Sequence, residues 1–303
     1  MVVRKPAKTF LVLSKPTLSC SILIQDKLRR ILDEDLWHDD ITSEALIDPR
    51  TRLEGKIICK EDCIVAGIQE ASTLFEMHDC HVESIVKEGK MVKGNSEILK
   101  MRGRAITILG LERTALNLMT RMSGIATETN RILKEARTIS PSVRIAGTRK
   151  TAPGLTFFDK RAISVGGGDT HRIGLDDSVL IKDNHIAIIG SVSEAVKKAK
   201  DKISFTKKIE VEVSTLNDAV DAVTAGADII LLDNLTPTQI QDIIKNLKRR
   251  KYRDRILIEA SGGINQKNIR AYASTGVDVI SLGFLTHSVK SIDMSLEVTS
   301  SSG

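Results

Sequence analysis

The second half of the chain alternates short apolar runs with longer amphipathic stretches. The apolar runs begin at Val143 and read VRIAGT, SVLIKD, KIEVEVS, DIILLD, RILIEAS and DVISLG. Most of them are separated by stretches with apolar residues at helical spacing, such as SVSEAVKKAK and PTQIQDIIKNLKRR. A repeated strand–helix unit predicts a parallel sheet, and the right-handed crossover rule limits that sheet to a barrel or a doubly wound arrangement.

The first half of the chain shows other patterns. Residues 22–33, ILIQDKLRRILD, have helical spacing, and Asp40 is placed to cap a further short helix. Residues 53–98 form short alternating runs with glycines at the joints, which predicts a small antiparallel sheet layer.

A strongly helical stretch, residues 106–137, joins the two halves. Ser123 and Gly124 interrupt its apolar pattern. We therefore expect two helices here, the second of which leads into a new domain.

Composition is typical of a globular protein of enzyme size. Of the 303 residues, 41% are hydrophobic and 28% are charged, which is enough to build a large core in one larger and one smaller domain. No run approaches the ~18 apolar residues of a membrane span, and the FLVL patch near the start is too short for a signal-peptide core. We expect a cytoplasmic protein that has no membrane partner.

The net charge of +6 makes nucleic acid a partner to consider, with the basic run KNLKRRKYRDR at residues 245–255 as its site. Tyr252 is the one aromatic residue in that run. Nucleic-acid surfaces interleave basic and aromatic residues, so we interpret the run as the solvated end of a helix and predict no nucleic-acid partner.

The four cysteines are too few to form a disulfide framework in a chain of this length. Cys59 and Cys63 have three residues between them, and with His78 and Cys80 nearby they could form a zinc cluster. In the run ICKEDCIVAG, however, both cysteines fit better as small strand residues, and this is the interpretation we favour.

The segment from residue 146 to residue 185 concentrates positive charge among turn-forming residues. Pro153, Gly154 and the three glycines at 166–168 indicate bent backbone, whereas a solvated helix face would space its cations between acids. Cations presented on loops by a rigid scaffold predict a site for anionic ligands. The cations are Arg149, Lys150, Lys160, Arg161, His171, Arg172, Lys182 and His185.

The ends of the predicted strands favour a barrel. Each apolar run stops at polar residues, and in a closed parallel barrel all these carboxyl ends open on one face, where active sites are built. The residues at these ends are Arg149 and Lys150, Lys182 and Asp183, then Glu212, Asp233, Ser261 and Gly283.

Two glycine-rich turns follow the last two strands, at residues 261–263 and at Gly283. Barrels commonly hold a phosphate at this position, although tight turns alone would also need glycines. Glu212 and Asp233 end two earlier strands and could act as a general base, as acceptors for ribose hydroxyls, as Mg2+ ligands, or in a structural ion pair with a neighbouring lysine. The residues alone thus predict an enzyme that binds a sugar phosphate and a second anion.

Motifs along most of the chain resemble one family. In order they read EDLWHDDITS, ERTALNLMTRMSGIAT, TRKTAPGL, GGGDTHRIGL, LIKDNH, EVEVS, LLDN, EASGGI and SLGFLTHS. They are similar to the motifs of quinolinate phosphoribosyltransferase. The resemblance implies a type II phosphoribosyltransferase-like α/β fold with an N-terminal α/β sandwich and an incomplete parallel α/β barrel. The implied parts are residues 1–124 (sandwich), 125–285 (barrel) and 286–303, a segment that packs back on the sandwich or is flexible.

The resemblance also implies a reaction. Quinolinate and phosphoribosyl pyrophosphate, with Mg2+, give nicotinate mononucleotide, pyrophosphate and CO2 in NAD biosynthesis. Quinolinate is a dicarboxylate, and guanidinium groups bind carboxylates through two parallel hydrogen bonds. The rival interpretations are a nicotinate phosphoribosyltransferase or a molybdenum-locus paralogue on the same fold, and, more distantly, a non-catalytic protein that binds anions or nucleic acid.

The resemblance assigns roles to residues of this sequence. Arg113, Arg149 and Arg172 are the implied carboxylate clamps, assisted by His171 and Lys182, and Lys150 is shared with the pyrophosphate. Glu212 and Asp233 are implied to hold the ribose hydroxyls near the Mg2+ that the donor carries, without being assigned as direct metal ligands. The 5′-phosphate is assigned to Ser261, Gly262, Gly263 and Gly283. The residues expected to be catalytic are Lys150, Lys182, Glu212 and Asp233.

The family works as homodimers or larger homo-oligomers, so Arg113 is expected to reach into the neighbour's site. The sequence departs from the family pattern at Thr156, where the family usually has arginine, and at Thr170, where it usually has asparagine. It also departs at Trp37 and His38. These departures concern substrate affinity and loop geometry, since the other implied clamp residues are present.

Overall fold

The structure is a computed structural model that describes residues 18–37 and 39–302. His38 and the FLVL patch therefore lie outside the described residues. The described chain divides into two compact units. The barrel unit consists of Arg131–Thr151 and Gly168–His287. The antiparallel unit consists of the described residues up to Asn130, Ala152–Gly167, and the residues from Ser288 onward.

Helices and strands are mixed along the whole described chain. In the first part they are α1 (Leu18–Asp35), α2 (Ile41–Leu46), β1 (Arg52–Cys59), β2 (Cys63–Ile64), α3 (Ile68–Glu76), β3 (His81–Ser84), β4 (Met91–Val92), β5 (Ser96–Arg104) and α4 (Ala105–Arg137). In the second part they are β6 (Arg144–Ala146), α5 (Thr156–Val165), β7 (Val179–Ile181), α6 (Asp183–Ile189), α7 (Val192–Lys202), β8 (Ile209–Val213), α8 (Leu216–Ala225), β9 (Ile229–Asp233), α9 (Pro237–Arg249), β10 (Leu257–Ser261), α10 (Ile269–Ala273), β11 (Val279–Ser281), α11 (Phe284–His287) and β12 (Met294–Ser302).

The antiparallel unit is built on a sheet with the strand order β12-β1-β5-β3. Its strands alternate buried and exposed residues, so that Leu53, Ile57 and Leu99 point into a core that also holds Leu74 and Phe75 of α3. The antiparallel layer predicted from the alternating pattern is therefore confirmed. The last strand, β12, pairs along the whole length of β1.

Local predictions in this unit are also confirmed. The predicted first helix forms as α1. Asp40 caps α2, because its carboxylate accepts hydrogen bonds from the backbone N–H groups of Thr42 and Ser43. This arrangement satisfies donors that a helix N-terminus leaves without partners, and such a cap is worth about 1 kcal/mol.

The break predicted at Ser123 and Gly124 is wrong, because α4 runs through both residues. Close neighbours within the antiparallel unit explain why serine and glycine occupy these two positions. The Ser123 hydroxyl accepts a hydrogen bond from the Ala66 N–H at 2.9 Å and donates to the Ala66 carbonyl at 3.1 Å. A Cβ atom added to Gly124 would lie 2.2 Å from the carbonyl oxygen of Lys290, so only glycine allows this approach.

The two cysteines that could have held zinc are strand residues, as favoured. Cys59 ends β1 and Cys63 begins β2, and both are fully buried with their Sγ atoms 3.3 Å apart. His78 instead makes a hydrogen-bond contact with the Leu74 carbonyl. Among residues 18–37 and 39–302, no metal-ligand cluster includes a cysteine.

The barrel unit contains a parallel sheet with the strand order β6-β11-β10-β9-β8-β7. Strands β7 to β11 follow one another around the sheet, and the first strand, β6, pairs with the last, β11. In a doubly wound sheet the order of successive strands reverses at an interior strand, whereas the cyclic order seen here is that of a barrel. In the described residues β6 and β7 form no ladder with each other, so the barrel is incomplete, with six strands.

The helices of the barrel unit carry the start and stop signals that the sequence supplies. Thr236 caps α9 in a reciprocal capping box with Gln239, and Pro237 occupies the first helical position. The basic run at 245–255 spans the end of α9, whose last turn holds Lys248 and Arg249. It is thus the solvated end of a helix, where cations complement the helix dipole. Among the described helices, none has the length and hydrophobicity needed to cross a membrane.

Candidate active site

A cavity of about 520 Å³ opens in the barrel unit and is lined by residues at the carboxyl ends of its strands. This location agrees with the prediction from the strand ends. The cavity brings together eleven of the twelve residues proposed for substrate binding. They are Arg149, Lys150, His171, Arg172, Lys182, Glu212, Asp233, Ser261, Gly262, Gly263 and Gly283.

The remaining residue, Arg113, does not line this cavity. It is exposed on α4 within the antiparallel unit. Three cations of the segment 146–185 are also absent from the cavity wall. His185 lies on α6, and the other two are Lys160 and Arg161. Both lie on α5, and Arg161 forms an ion pair at 2.5 Å with the fully buried Glu70. The interpretation that all cations of this segment sit on ligand-binding loops is therefore wrong for these two, because α5 packs them inside the antiparallel unit.

Two exposed cations, Arg149 and Lys150, follow β6. The backbone of Lys150 is fixed on both sides, because its N–H donates to the Thr148 hydroxyl at 3.1 Å and its carbonyl accepts from Thr286 at 2.7 Å. The side chains are thus presented to the cavity by a well-defined turn. This arrangement leaves their charges available to an anion.

Arg172 is partly withdrawn from solvent, whereas Arg149, Lys150 and Lys182 are exposed. One of its terminal nitrogens donates to the Ser178 carbonyl at 3.2 Å. Its Nε is buried and has no hydrogen-bond partner within the described chain. Burial lowers the pKa of Arg172, and the nearby charge of Arg149 lowers it further. Since a buried N–H without an acceptor is costly, the site calls for an anion that pairs with this guanidinium.

Glu212 and Asp233 end the neighbouring strands β8 and β9 and supply negative charge to the same cavity. Glu212 pairs with the Lys182 ammonium at 3.2 Å, and Asp233 accepts a hydrogen bond from the Asn234 amide. The Lys182 side chain is 49% exposed, so this ion pair is worth only about 0–1 kcal/mol. A ligand can therefore replace it at little cost.

The turn after β10 depends on glycine. Gly262 and Gly263 both adopt positive φ angles, 85° and 63°. A Cβ atom on Gly262 would lie 2.2 Å from the side-chain oxygen of Asn234, so this position has no room for another residue. Gly283 similarly borders Lys150 and would bring a Cβ atom within 3.1 Å of that side chain. The glycines thus keep this side of the cavity open.

His171 lies at the cavity and is held by two glutamates that the sequence reasoning missed. Its Nε2 lies 3.2 Å from Glu259 and 3.5 Å from Glu210, and both carboxylates are almost completely buried. Its Nδ1 accepts a hydrogen bond from the backbone N–H of Arg172 at 2.8 Å. Strand periodicity carries a signal for both glutamates, because each lies two residues before a cavity residue, Glu212 or Ser261, on the same face of its strand.

Protonation of the His171 ring reflects opposing influences. Burial disfavours the charged ring, whereas the carboxylates of Glu210 and Glu259 favour a proton on Nε2, the ring nitrogen that faces them. The Arg172 N–H acts against a second ring proton, because it points at Nδ1. The carboxylates thus keep a proton on Nε2, while the backbone amide keeps Nδ1 bare. Burial also raises the pKa of Glu210.

Other cavity residues were missed as well. Thr148, Asn265 and His287 line the cavity. Thr148 and His287 both fall inside motifs that were recognised, TRKT and SLGFLTHS, so their place in those motifs was an available signal. Asn265 lies just beyond the EASGGI motif and had no such signal.

Comparison with known proteins agrees with this geometry. Residues 40–123 match the N-terminal domain of the family described as quinolinate phosphoribosyl transferase, and residues 125–297 match its C-terminal domain. The chain is 48% identical to the probable nicotinate-nucleotide pyrophosphorylase [carboxylating] of Methanothermobacter thermautotrophicus, over 91% of this chain and 99% of that protein. It is 50% identical to the Methanocaldococcus jannaschii protein of the same description, over 89% and 95%.

A solved structure shows the same architecture. The nicotinate-nucleotide pyrophosphorylase of Francisella tularensis superposes with a TM-score of 0.84 at 35% sequence identity, covering 92% of this chain and 97% of that one. Both family domains match the chain in order, and the relatives align over nearly their whole length. The chain therefore belongs to the quinolinate phosphoribosyltransferase family.

Proposed function

We propose that this protein transfers the phosphoribosyl group of phosphoribosyl pyrophosphate to quinolinate and releases CO2, giving nicotinate mononucleotide and pyrophosphate for NAD biosynthesis. The activity after which its relatives are named, that of a nicotinate-nucleotide pyrophosphorylase [carboxylating], supports this proposal. The observation that carries it is the buried, unpartnered Nε–H of Arg172 at a cavity that also holds Arg149, Lys150 and Lys182.

The cations suit a dicarboxylate acceptor. Arg172 can offer two parallel N–H groups to one carboxylate, and such charge-assisted bonds are about twice as strong as neutral ones. Arg149 and Lys182 line the same cavity and would bind the second carboxylate. A single carboxylate, as in nicotinate, would leave part of this cationic set without a partner.

The glycine turns suit the donor's 5′-phosphate. Gly262, Gly263 and Gly283 carry no side chain that would keep a phosphate from the backbone, and the Ser261 hydroxyl is available beside them. Lys150 would bind the pyrophosphate. These contacts hold the donor at both ends and place its anomeric carbon between them, which is the positioning that such a displacement needs.

Glu212 and Asp233 would hold the ribose hydroxyls. Their negative charge would lie near the anomeric carbon, which becomes cationic as pyrophosphate leaves, and preorganised charge of this kind is a main source of catalysis. Their carboxylate oxygens also suit the Mg2+ that accompanies the donor, since that hard cation prefers oxygen ligands. When bound, Mg2+ offsets negative charge on the leaving pyrophosphate. Lys150 and Lys182 would share this task.

Decarboxylation follows from the chemistry of the acceptor. The ring nitrogen forms a bond to the anomeric carbon as the bond to pyrophosphate breaks, which makes the ring a pyridinium. The bond to the adjacent carboxylate then breaks, its electron pair stays on the ring carbon beside the positive nitrogen, and that carbon takes up a proton. The protein therefore needs no separate electron sink.

We also propose that the site is completed by a second copy of the chain. Arg113 is exposed on α4 and does not line the cavity of its own chain. An exposed arginine on a helix of the antiparallel unit is available to the cavity of a neighbour. A homodimer is the smallest assembly that provides this contact.

The test is an assay with purified protein, phosphoribosyl pyrophosphate and Mg2+, with quinolinate and nicotinate as parallel acceptors. We expect nicotinate mononucleotide and CO2 from quinolinate, and little product from nicotinate. Turnover of nicotinate without CO2 would instead assign the protein to a non-decarboxylating activity.

A matched pair of variants tests the role of the Arg172 guanidinium. Arg172→Met should weaken quinolinate binding by about 2–5 kcal/mol, the cost of breaking a desolvated charge pair. Lys198→Met, which removes an exposed cation on α7, should leave the kinetics unchanged. Equal quinolinate KM values in the two variants would contradict the clamp assigned to Arg172.

A further inference from the structure

The His171 ring is engaged on both of its nitrogen atoms. Nε2 faces the carboxylates of Glu259 and Glu210, and Nδ1 accepts the backbone N–H of Arg172. The backbone before the ring is also fixed, because Asp169 accepts the His171 N–H at 2.8 Å and His171 adopts a φ of 52°. A left-handed φ in a residue other than glycine persists where its surroundings enforce it. Neither ring nitrogen is left free for a ligand in the cavity.

The two glutamates come from separate strands of the barrel. Glu210 belongs to β8 and Glu259 to β10, and their relative exposures are 1% and 2%. Each has one carboxylate oxygen near Nε2 and a second that has no partner within the described chain. Burying two carboxylates beside each other is costly, so their retention at one imidazole indicates a specific task for that contact.

We infer that Glu210 and Glu259 are positioning residues that fix the His171 ring through Nε2, so that Nδ1 in turn fixes the backbone of Arg172 and aims its guanidinium at a substrate carboxylate. This inference rests on the proposed function, since it assigns the aimed group to quinolinate. It also changes the role of His171, which acts on the substrate through Arg172 and not by direct contact.

The same three side chains could be taken for a metal site, because their ligand atoms all lie within 4.8 Å of one another. The Arg172 N–H decides between the two interpretations. A ring that accepts this bond at Nδ1 carries its proton on Nε2, which is the atom that a metal would need. The arrangement is therefore a hydrogen-bonded triad with an Nε2–H donor. The titratable groups around the ring are Glu210, Glu259, Asp169 and Arg172.

Aiming matters because the guanidinium has to meet its partner with two parallel bonds. Arg172 is held elsewhere only by its bond to the Ser178 carbonyl, among the contacts that the structure describes. Loss of the Nδ1 bond would let its backbone shift. A misplacement of about 1 Å in a binding group can cost roughly 10²-fold in rate.

Variants of Glu259 separate positioning from charge. Glu259→Leu removes the nearer of the two acceptors at Nε2 and should raise the quinolinate KM, with a loss in kcat/KM of up to roughly 10²-fold, while the KM for phosphoribosyl pyrophosphate stays unchanged. Glu259→Gln keeps an acceptor oxygen but loses the charge, and it should recover most of the loss. The control is Thr275→Val, which removes a buried hydroxyl from the same unit without contacting His171.

The ring itself provides a readout that does not depend on turnover. Nitrogen-15 spectra of the full-length protein, assigned with a His171→Asn variant, should show a protonated Nε2 and an unprotonated Nδ1 in the wild type and in Glu259→Gln. In Glu259→Leu the two tautomers should mix. This spectrum judges the inference even if the wild type fails to turn over quinolinate, an outcome that would refute the proposed function alone.

Three results would overturn the inference. The first is a wild-type ring with its proton on Nδ1. The second is a Glu259→Gln variant as impaired as Glu259→Leu, which would mean that charge and not positioning is what the glutamate supplies. The third is a folded Glu259→Leu variant whose quinolinate KM equals that of Thr275→Val.

Discussion

Alanine in place of Gly124 should destabilise the protein, whereas alanine in place of Gly110, on the same helix, should stabilise it. Both glycines lie inside α4, and the substitution is chemically identical at the two positions. They differ in their surroundings. A Cβ atom at Gly124 would lie 2.2 Å from the Lys290 carbonyl oxygen, while a Cβ atom at Gly110 would meet only the Leu36 side chain, at 4.0 Å.

The magnitudes decide the sign at each position. Replacing a glycine by alanine within a helix favours folding by about 1 kcal/mol, because alanine loses less backbone freedom. At Gly110 no described residue lies close enough to oppose this gain. At Gly124 the contact with Lys290 is too short to survive, so backbone has to move, and such overpacking costs about 1–3 kcal/mol or more. Because both variants share the helix gain, they should differ by the overpacking cost, roughly 1–3 kcal/mol or more.

The measurement is urea unfolding of both variants beside the wild type, followed by circular dichroism. The midpoint should fall for Gly124→Ala and rise for Gly110→Ala, with similar slopes. A shift of both midpoints in the same direction would refute the reasoning, because it would show that helix propensity or a general effect outweighs the contact with Lys290.

Three further predictions concern charged groups. Burial raises the pKa of Glu70 to about 7 despite Arg161, so the stability that Glu70 contributes is complete below pH 4.5 and is lost as the pH rises through 7. The free energy of unfolding of the wild type should therefore fall by about 3 kcal/mol between pH 5 and 8 through this group, and Glu70→Gln should remove that fall. Parallel curves for the two proteins would contradict this. Asp159→Asn breaks a buried two-bond pair with Arg121, at 2.7 and 2.8 Å, and should cost about 3–5 kcal/mol in urea unfolding. Glu212→Gln should raise the KM for phosphoribosyl pyrophosphate but spare quinolinate binding, whereas equal impairment of both would count against its role at the ribose.

Much of the fold could be predicted because its determinants are local. Apolar runs alternating with helical stretches predicted a parallel sheet, and the polar ends of its strands favoured a barrel. Alternating residues at 53–98 predicted the antiparallel layer. Periodicity and capping depend on residues a few positions apart, as at Asp40 and α2. The helix break predicted at Ser123 and Gly124 was wrong because the determinants there are not local. Their neighbours, Ala66 and Lys290, are remote in the sequence, and no local pattern reports such a contact.

The candidate site divides in the same way. Residues at strand ends, such as Glu212 and Asp233, were found because parallel strands must place those ends on one face. Glu210 and Glu259 were missed because a glutamate in an alternating strand is normally taken as solvent-facing, and only the barrel interior buries both against His171. Arg161 was wrongly grouped with the anion site, because the sequence around it does not show that α5 places it beside Glu70.

The sequence by itself determined the order of strands and helices, the family and the set of polar residues that end the barrel strands, because each depends on spacing or on recognisable motifs. Only the tertiary structure decided which cations face the cavity, which acids are buried, and that both ring nitrogens of His171 are engaged within the protein. The physical reason is that burial and pairing depend on residues distant in the chain. The same type of side chain binds a ligand on one element and forms a structural ion pair on another.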